Sequence, residues 1–459
     1  MPDLQTPAKT TVPDAPFATL LSVLEAFRIA LTKPSFGNMV VVVCGWLLTQ
    51  GPHAVTEALL MTGIAGHRHH EAFHRFFSRA RWDPDQLGHW LFRRLERFLG
   101  DGAVQVVIDD TLAQKKGPHI FGLACHVDPV RSTRKQRVFC FGHCWVVLAV
   151  LVRVPLSKRI WALPVLFRLY RSKKETASEE AEYAKKTELA RELVSAFAEW
   201  VGDRRVELAM DAAYCNATVM REMPPSFVVF GAMRPDAVLT AAPEPRAPGA
   251  KGRPKLRGSP LPKPTKLAND GRRPWKKARA KLYGCEQEVR YKTLCAQWYR
   301  GYGAGLLRVV IVLTEHGQVP FRVFFCTDPD IDVIRVLETY SGRWGIEVFF
   351  REAKQLLGFA DSIARVEHAV RRVAPLVGLL YTVLVVWFLE SHGRSFTASP
   401  PIRPWYTHKS GVCFADILRA ARGAIAATDI LDLVNDSMNF TMAAPPVPSA
   451  GPSGEQLAA

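Results

Sequence analysis

The stretch Tyr340-Ser-Gly-Arg343-Trp-Gly-Ile-Glu347-Val-Phe-Phe-Arg-Glu352-Ala-Lys354 decides how this chain is read. It lies in a helical pattern running from about Ile334 to Leu357. At 100° per residue, with Tyr340 at zero, Arg343, Glu347 and Lys354 fall at about 300°, 340° and 320°. One phenol, two cations and one carboxylate therefore form a single stripe, with a cation on each side of the carboxylate. A solvated helix face held by close-spaced Arg–Glu pairing has the same pattern and contributes only about 0.2–0.5 kcal/mol per pair. The stripe needs partners elsewhere in the chain before it means more than that.

Two aspartates supply them. The β-branched run Val104-Gln105-Val106-Val107-Ile108 reads as a strand ending at Asp109-Asp110, and Val206-Glu207-Leu208-Ala209-Met210 reads as a strand delivering Asp211. A carboxylate at the carboxyl end of a sheet strand points into the crevice where α/β folds place ligands. It is also an ordinary turn former or helix cap. Two aspartates and a glutamate from separate elements suit hard divalent cations, which prefer carboxylate oxygens and leave positions open for phosphate.

The rest of the chain fits a polyanion partner. The 459 residues carry 60 Lys+Arg against 43 Asp+Glu, a net charge of +17, and such a field draws nucleic acid. Hydrophobic content of 48% and charged content of 22% exclude a wholly disordered or fibrous chain. Nine scattered cysteines argue against a secreted disulfide scaffold. Cys140, His143 and Cys144, with Cys125 and His126 nearby, do not have zinc-finger spacing and read as buried thiols. The amino terminus has no export signal. The apolar run Val373 to Leu389 is interrupted by Pro375 and Gly378 and reads as a buried core helix, so the expectation is a cytoplasmic protein with no membrane partner.

Along the chain, residues 1–16 and 443–459 read as disordered, and 17–100 as an all-helical, basic DNA-binding domain. Strands at Val104–Ile108, Cys144–Val154, Val206–Met210 and Phe227–Phe230, with a charged helix over about Thr176 to Val201, give a mixed α/β sheet across 101–235. Residues 236–305 read as an insertion: from Pro243 to Lys281 there are eight prolines and thirteen Lys/Arg against Glu244 and Asp270, so this stretch is taken as a coreless loop or subdomain touching phosphate. Strands resume at Leu307–Leu313 and Phe321–Cys326. The catalytic helix falls within 306–395, and a helical region follows over 396–442.

These residues resemble a family. The spacing Y-(2)-R-(3)-E-(6)-K, met by Tyr340, Arg343, Glu347 and Lys354, together with Ile108-Asp-Asp-Thr111 and Lys115-Lys-Gly117, resembles the DDE transposases of a large superfamily of bacterial insertion sequences, over roughly residues 17 to 395. The resemblance implies an α/β ribonuclease H-like catalytic core with an inserted basic/β subdomain. It implies Asp110, Asp211 and Glu347 as a catalytic triad holding two Mg²⁺ ions, with Mn²⁺ as a substitute. Asp110 is preferred to its competitor Asp109 because it precedes Thr111. Tyr340, Arg343 and Lys354 would contact DNA phosphates, Arg in bidentate fashion and Lys as a point charge. Trp298 or Trp275 would be the aromatic of the insertion, and Glu352 is a weaker candidate carboxylate than Glu347. Partners by the same resemblance are transposon-end and target DNA, with a homodimer pairing two ends near the bacterial nucleoid.

Two other classes compete. One is a domesticated, non-catalytic DNA-binding relative. The other is a zinc peptidase, since His70-Glu71-Ala-Phe-His74 fits H-E-x-x-H with Glu96 as a distant third ligand. Arg68, Arg75, Arg79 and Arg81 crowd that motif and disfavour a dication there; the plainer reading is a basic helix lying on DNA.

Overall fold

Strand β1 (Val104–Gln114) is the axis around which the chain is built. Val104, Val106, Val107 and Ile108 are all buried, as expected of a strand covered on both faces. A computed structural model describes residues 16–128, 130–133, 135–178, 182–245, 253, 255–314, 320–392, 405, 411–428 and 430. The tails at 1–15 and 443–459, and most of 396–442, lie outside these.

The next three strands are β2 (Ala124–Val127), β3 (Phe139–Arg153) and β4 (Ile160–Tyr170). β3 lies antiparallel to β1, and β2 and β4 share its outer edge. Beyond β1 come β5 (Val206–Met210) and β6 (Phe227–Met233), each parallel to its predecessor. Three antiparallel strands followed by two parallel ones, with the first strand central, is the ribonuclease H-like arrangement. The sheet does not stop there. β6 pairs with β10 (Phe321–Cys326), which pairs in turn with β9 (Leu306–Leu313), β8 (Cys285–Gln297) and β7 (Lys276–Leu282).

The stretch expected to lack a core is therefore partly ordered. It contains a short helix at Pro264–Asn269, and its end forms β7 at the edge of the main sheet. The β7–β8 hairpin closes on Tyr283-Gly284, both with positive φ, the geometry of a tight two-residue turn. Its alternating cations (Lys277, Arg279, Lys281) hid the strand behind charge.

Other differences have similar local causes. β1 does not end at its aspartates but runs through them to Gln114, because β3 continues the ladder as far as Gly142. β4 escaped the sequence reading: Pro164 interrupts its pattern, and the register slips there between Leu148 and Ala149 of β3, where an edge strand tolerates proline. The charged helix expected over 176–201 occupies only Lys186–Val201, where Glu188 accepts a hydrogen bond from the Lys185 N–H and closes the first turn.

The helix expected over 334–357 is two. Val333–Gly342 and Trp344–Leu356 meet at Arg343. Gly342 and Gly345 flank the break, and a Cβ at Gly345 would lie 2.9 Å from the Ile160 carbonyl oxygen. The glycines let the backbone settle onto β4, and a Ser-Gly pair is a usual site for a helix to bend.

The amino-terminal segment forms helices at Pro16–Glu25, Lys33–Leu48, Val55–Met61, Glu71–Ser78 and Pro84–Leu95. Lys33–Leu48 is buried almost throughout from Phe36 to Leu47. This segment does not stand apart: it shares one continuous core with the helix Glu367–His392. Trp387 Nε1 donates to the Pro16 carbonyl at 2.7 Å, and Arg94 holds Glu390 at 2.6 Å. Glu367–His392 is long and apolar enough to cross a membrane, but 94% of its apolar window is buried inside the fold.

Gly345→Ala would force the helix Trp344–Leu356 off β4. We expect a loss of about 1–3 kcal/mol in chemical denaturation. Gly37→Ala, where an added Cβ meets nothing within 4 Å, is expected to gain about 0.5–1 kcal/mol.

Candidate active site

Adjacent residues in a strand face opposite sides of the sheet, and Asp109 and Asp110 have different partners accordingly. Asp109 Oδ2 accepts from Arg343 Nη1 at 2.6 Å, and the other arm of the same guanidinium, Nη2, donates to Glu347 Oε1 at 2.8 Å. Arg343 thus bridges a carboxylate on β1 and one on the helix, four residues beyond it. Its own charge is held firmly: burial opposes it, but Asp109, Tyr340 and Glu347 outweigh burial and raise its pKa. The Arg343 guanidinium lies 5.8 Å from the Tyr340 ring centre, and Tyr340 packs on Phe324 with ring centres 4.7 Å apart. Burial pushes the Tyr340 phenol up to about 12.

Asp110 is gripped from a different set. Tyr214 Oη donates to Oδ1 at 2.7 Å; Lys186 Nζ at 2.7 Å and the Cys144 thiol at 3.2 Å both donate to Oδ2. Burial works to raise the Asp110 carboxyl, but Lys186 and these hydrogen bonds hold it below the usual range. Asp110 also opens onto a cavity of about 610 Å³ lined in addition by Asp128, Arg131, Glu347, Phe350, Arg351 and Lys354. Burial lowers the Lys354 pKa, with Asp128 acting against it.

Asp211 follows β5 directly. The register Val104↔Val206 through Ile108↔Met210 carries it to the level of Asp109. Its Oδ1 accepts the backbone N–H groups of Ala213 and Tyr214 at 2.9 and 3.3 Å, so it caps its own turn as well as facing the sheet end. Burial raises the Asp109 carboxyl to about 7, with repulsion from Asp211 and Asp110 adding to it against Arg343.

The sequence candidates are thus one neighbourhood but not one closed ligand shell. Among the described residues no three His, Cys, Asp or Glu side chains converge tightly enough to hold a metal ion. The donors nevertheless suit one. They are carboxylate oxygens, the atoms a hard dication prefers, and a buried Asp109 repelled by two further aspartates needs positive charge. Arg343 supplies that charge between Asp109 and Glu347.

Other expectations resolve differently. Glu352 is 8% exposed and bonded to Arg159 at 2.8 Å and Tyr381 at 2.7 Å, a structural pair and no part of the cavity. Trp298 packs edge-on against Phe325, and Trp275 lies under Lys292 Nζ; neither lines the carboxylate cavity. In the H-E-x-x-H stretch, Glu71 pairs with Arg75 at 2.6 Å and Glu96 with Arg93 at 3.2 Å, so both acids are taken by arginines. Sequence reasoning missed Lys186 and Tyr214. Tyr214 was within reach, being three residues past Asp211; nothing in the charged run before Leu189 singles out Lys186. Lys115, noted only as part of a motif, donates to the carbonyls of Ala360 and Ser362 at 2.9 and 2.6 Å and ties the end of β1 to the segment after the helix Trp344–Leu356.

The protein is thus a ribonuclease H-like sheet with aspartates on two neighbouring parallel strands and a cavity shared by Asp110 and Glu347. The sequence profile of the DDE superfamily endonucleases matches residues 28–303, and the chain belongs to that family. The matched span contains Asp109, Asp110 and Asp211 and ends before Glu347. Among solved structures, the chain is similar to a piggyBac transposase seen by cryo-EM in a synaptic complex with hairpin DNA, at 9% identity and a TM-score of 0.43, covering 97% of this chain and 88% of that one. No curated protein sequence matches.

Two outcomes test this geometry. Glu352→Ala strands Arg159 and is expected to cost about 2–3 kcal/mol in denaturant midpoint measurements, whereas Glu347→Ala leaves stability nearly unchanged. Asp109 is protonated more readily folded than unfolded, so its contribution to stability falls as pH rises from about 4 to about 7. Asp109→Asn should remove that decline from thermal unfolding curves recorded across the same range.

Proposed function

We propose that the protein is a DNA transposase whose cutting centre is Asp110, Asp211 and Glu347, acting on the ends of the element that encodes it. The observation that carries this is the shared cavity. Asp110 and Glu347, about 240 residues apart in sequence, line one space with Lys354, and Asp211 stands at the end of the neighbouring strand in a DDE endonuclease chain. Two Mg²⁺ ions, or Mn²⁺ in their place, would be held by these three carboxylates and, when bound, would supply Lewis acidity toward the scissile phosphate.

The chain's own residues do the rest. Tyr214 and Lys186 fix the Asp110 carboxylate in one orientation and keep it ionised. Lys354 meets the incoming phosphate as a point charge, and its partial burial strengthens that contact. Arg343 would turn toward a phosphate the arm that Glu347 now holds, keeping the other on Asp109. Asp109, buried and neutralised by Arg343, anchors that fork from behind, which is why Asp110 and not Asp109 is taken as the first carboxylate. Phe350 on the cavity wall excludes water from one side. Water is the nucleophile for the first cut, and the freed 3′-hydroxyl is the nucleophile for joining to target DNA. Membership of the bacterial insertion-sequence group, a homodimer that pairs two ends, and a place at the nucleoid belong to this same reading.

The test is to incubate the full chain with Mg²⁺ and DNA from the borders of its coding element and map the cuts. Asp110→Ala, Asp211→Ala and Glu347→Ala should each lower cleavage by about 10³-fold or more while leaving DNA affinity within about twofold. Asp109→Asn should keep measurable cleavage. Undiminished cutting by the three alanine variants would sink the assignment; loss in Asp109→Asn with activity retained in Asp110→Ala would transfer the role to Asp109. Lys354→Ala should lessen the salt dependence of binding by roughly one phosphate contact.

A further inference from the structure

The β2–β3 ribbon displays a row of apolar side chains outside the core. Its strands pair Val127 with Phe139 and Cys125 with Phe141, so these four side chains share one face. Phe139 and Phe141 are 59% and 58% exposed and Val127 is 42% exposed; Cys125 is exposed too. Two phenylalanines side by side in water are costly, and a contiguous patch of this kind marks a surface meant to be covered.

Described residues of the connecting loop are tied by hydrogen bonds. Asp128 Oδ1 accepts the N–H groups of Val130 and Arg131 at 2.9 and 3.2 Å; its Oδ2 accepts from Gln114 Nε2 at 2.9 Å. Ser132 Oγ and Val138 exchange hydrogen bonds at 3.0 and 3.3 Å. The same Asp128, Val130 and Arg131 line the carboxylate cavity, so the ribbon's tip is continuous with the cutting site. Val130 is 91% exposed there. Lys135 and Arg137 are exposed in the loop that leads into Phe139.

We propose that the β2–β3 ribbon is a surface for unpaired DNA next to the cut: its cations take backbone phosphates, and Phe139 and Phe141 stack against bases exposed by local opening of the duplex. Charge and continuity favour this occupant. A protein partner would have no need of the cations that flank the patch, whereas single-stranded nucleic acid is met by this combination of basic groups and aromatic faces. The inference rests on the reading that the cavity acts on DNA, and it adds that the strand leaving the cavity is opened and held.

The test uses the full chain in EDTA, so that binding is read without cleavage. Fluorescence anisotropy is measured with a short single-stranded oligodeoxynucleotide and with the blunt duplex of the same sequence. Phe139→Ala/Phe141→Ala should weaken single-strand binding roughly tenfold or more and leave the duplex affinity within about twofold. Phe139→Tyr/Phe141→Tyr should restore the single-strand affinity. Lys135→Ala/Arg137→Ala should weaken both probes and flatten their salt dependence. Unaltered single-strand binding by the alanine pair overturns the proposal. So does equal loss on both probes, or a change of oligomeric state in gel filtration with DNA binding intact, which would make the face a protein interface. A chain that fails to cut DNA yet passes these measurements would overturn the cleavage reading and leave this one standing.

Discussion

One guanidinium organises the centre of this protein. Arg343 reaches Asp109 on the first strand with one arm and Glu347 on the helix with the other, and the Asp109 contact is mostly removed from water. Breaking the Asp109 contact would leave a carboxylate and a cation without their counter-charges in a poorly solvated place, a cost of several kcal/mol. The helix is therefore fastened to the sheet at the position where it changes direction. The two glycines that permit that change also let the arginine project from a bend, free of a regular turn. Tyr340 and Phe324 close the other side of the cation. With this bridge in place, Glu347, Lys354 and Asp110 come to face the same space.

How far the sequence could be read depended on whether a signal was local. Periodicity found the buried strands with uniform β-branched composition, such as Val104–Ile108 and Val206–Met210, and it found the apolar helix ending near Leu389. It failed where composition and environment disagree. β4 is hidden by a proline accommodated at a slipped register, and β7 by lysines and arginines that line an edge strand. Neither residue pattern speaks of a sheet until the partner strand is known. The helical break at Arg343 was likewise invisible, because the constraint is the Ile160 carbonyl, far away in sequence.

The candidate site shows the same division. Tyr340, Arg343, Glu347 and Lys354 could be placed together by helical geometry alone, and the two aspartate-bearing strands by their hydrophobic runs. What no spacing reveals is which of two adjacent aspartates faces the open space, or that Lys186 and Tyr214 would hold one of them. Those depend on the register of β1 against β3 and β5 and on how the helix beginning at Lys186 lies across the sheet. Neighbouring charges then separate the two acids: Arg343 and burial govern Asp109, Lys186 governs Asp110.

The tie between the first helix and the long apolar one near the far end has a consequence for synthesis on the ribosome. Phe17, Leu20, Val23 and Leu24 of that first helix lack their partner until the chain has been made as far as Trp387, and such late-arriving contacts delay folding. A message cut short before that point yields a polypeptide with exposed grease and no finished core. Quality-control proteases would clear it. Fragments of this gene should thus vanish, not linger in the cell.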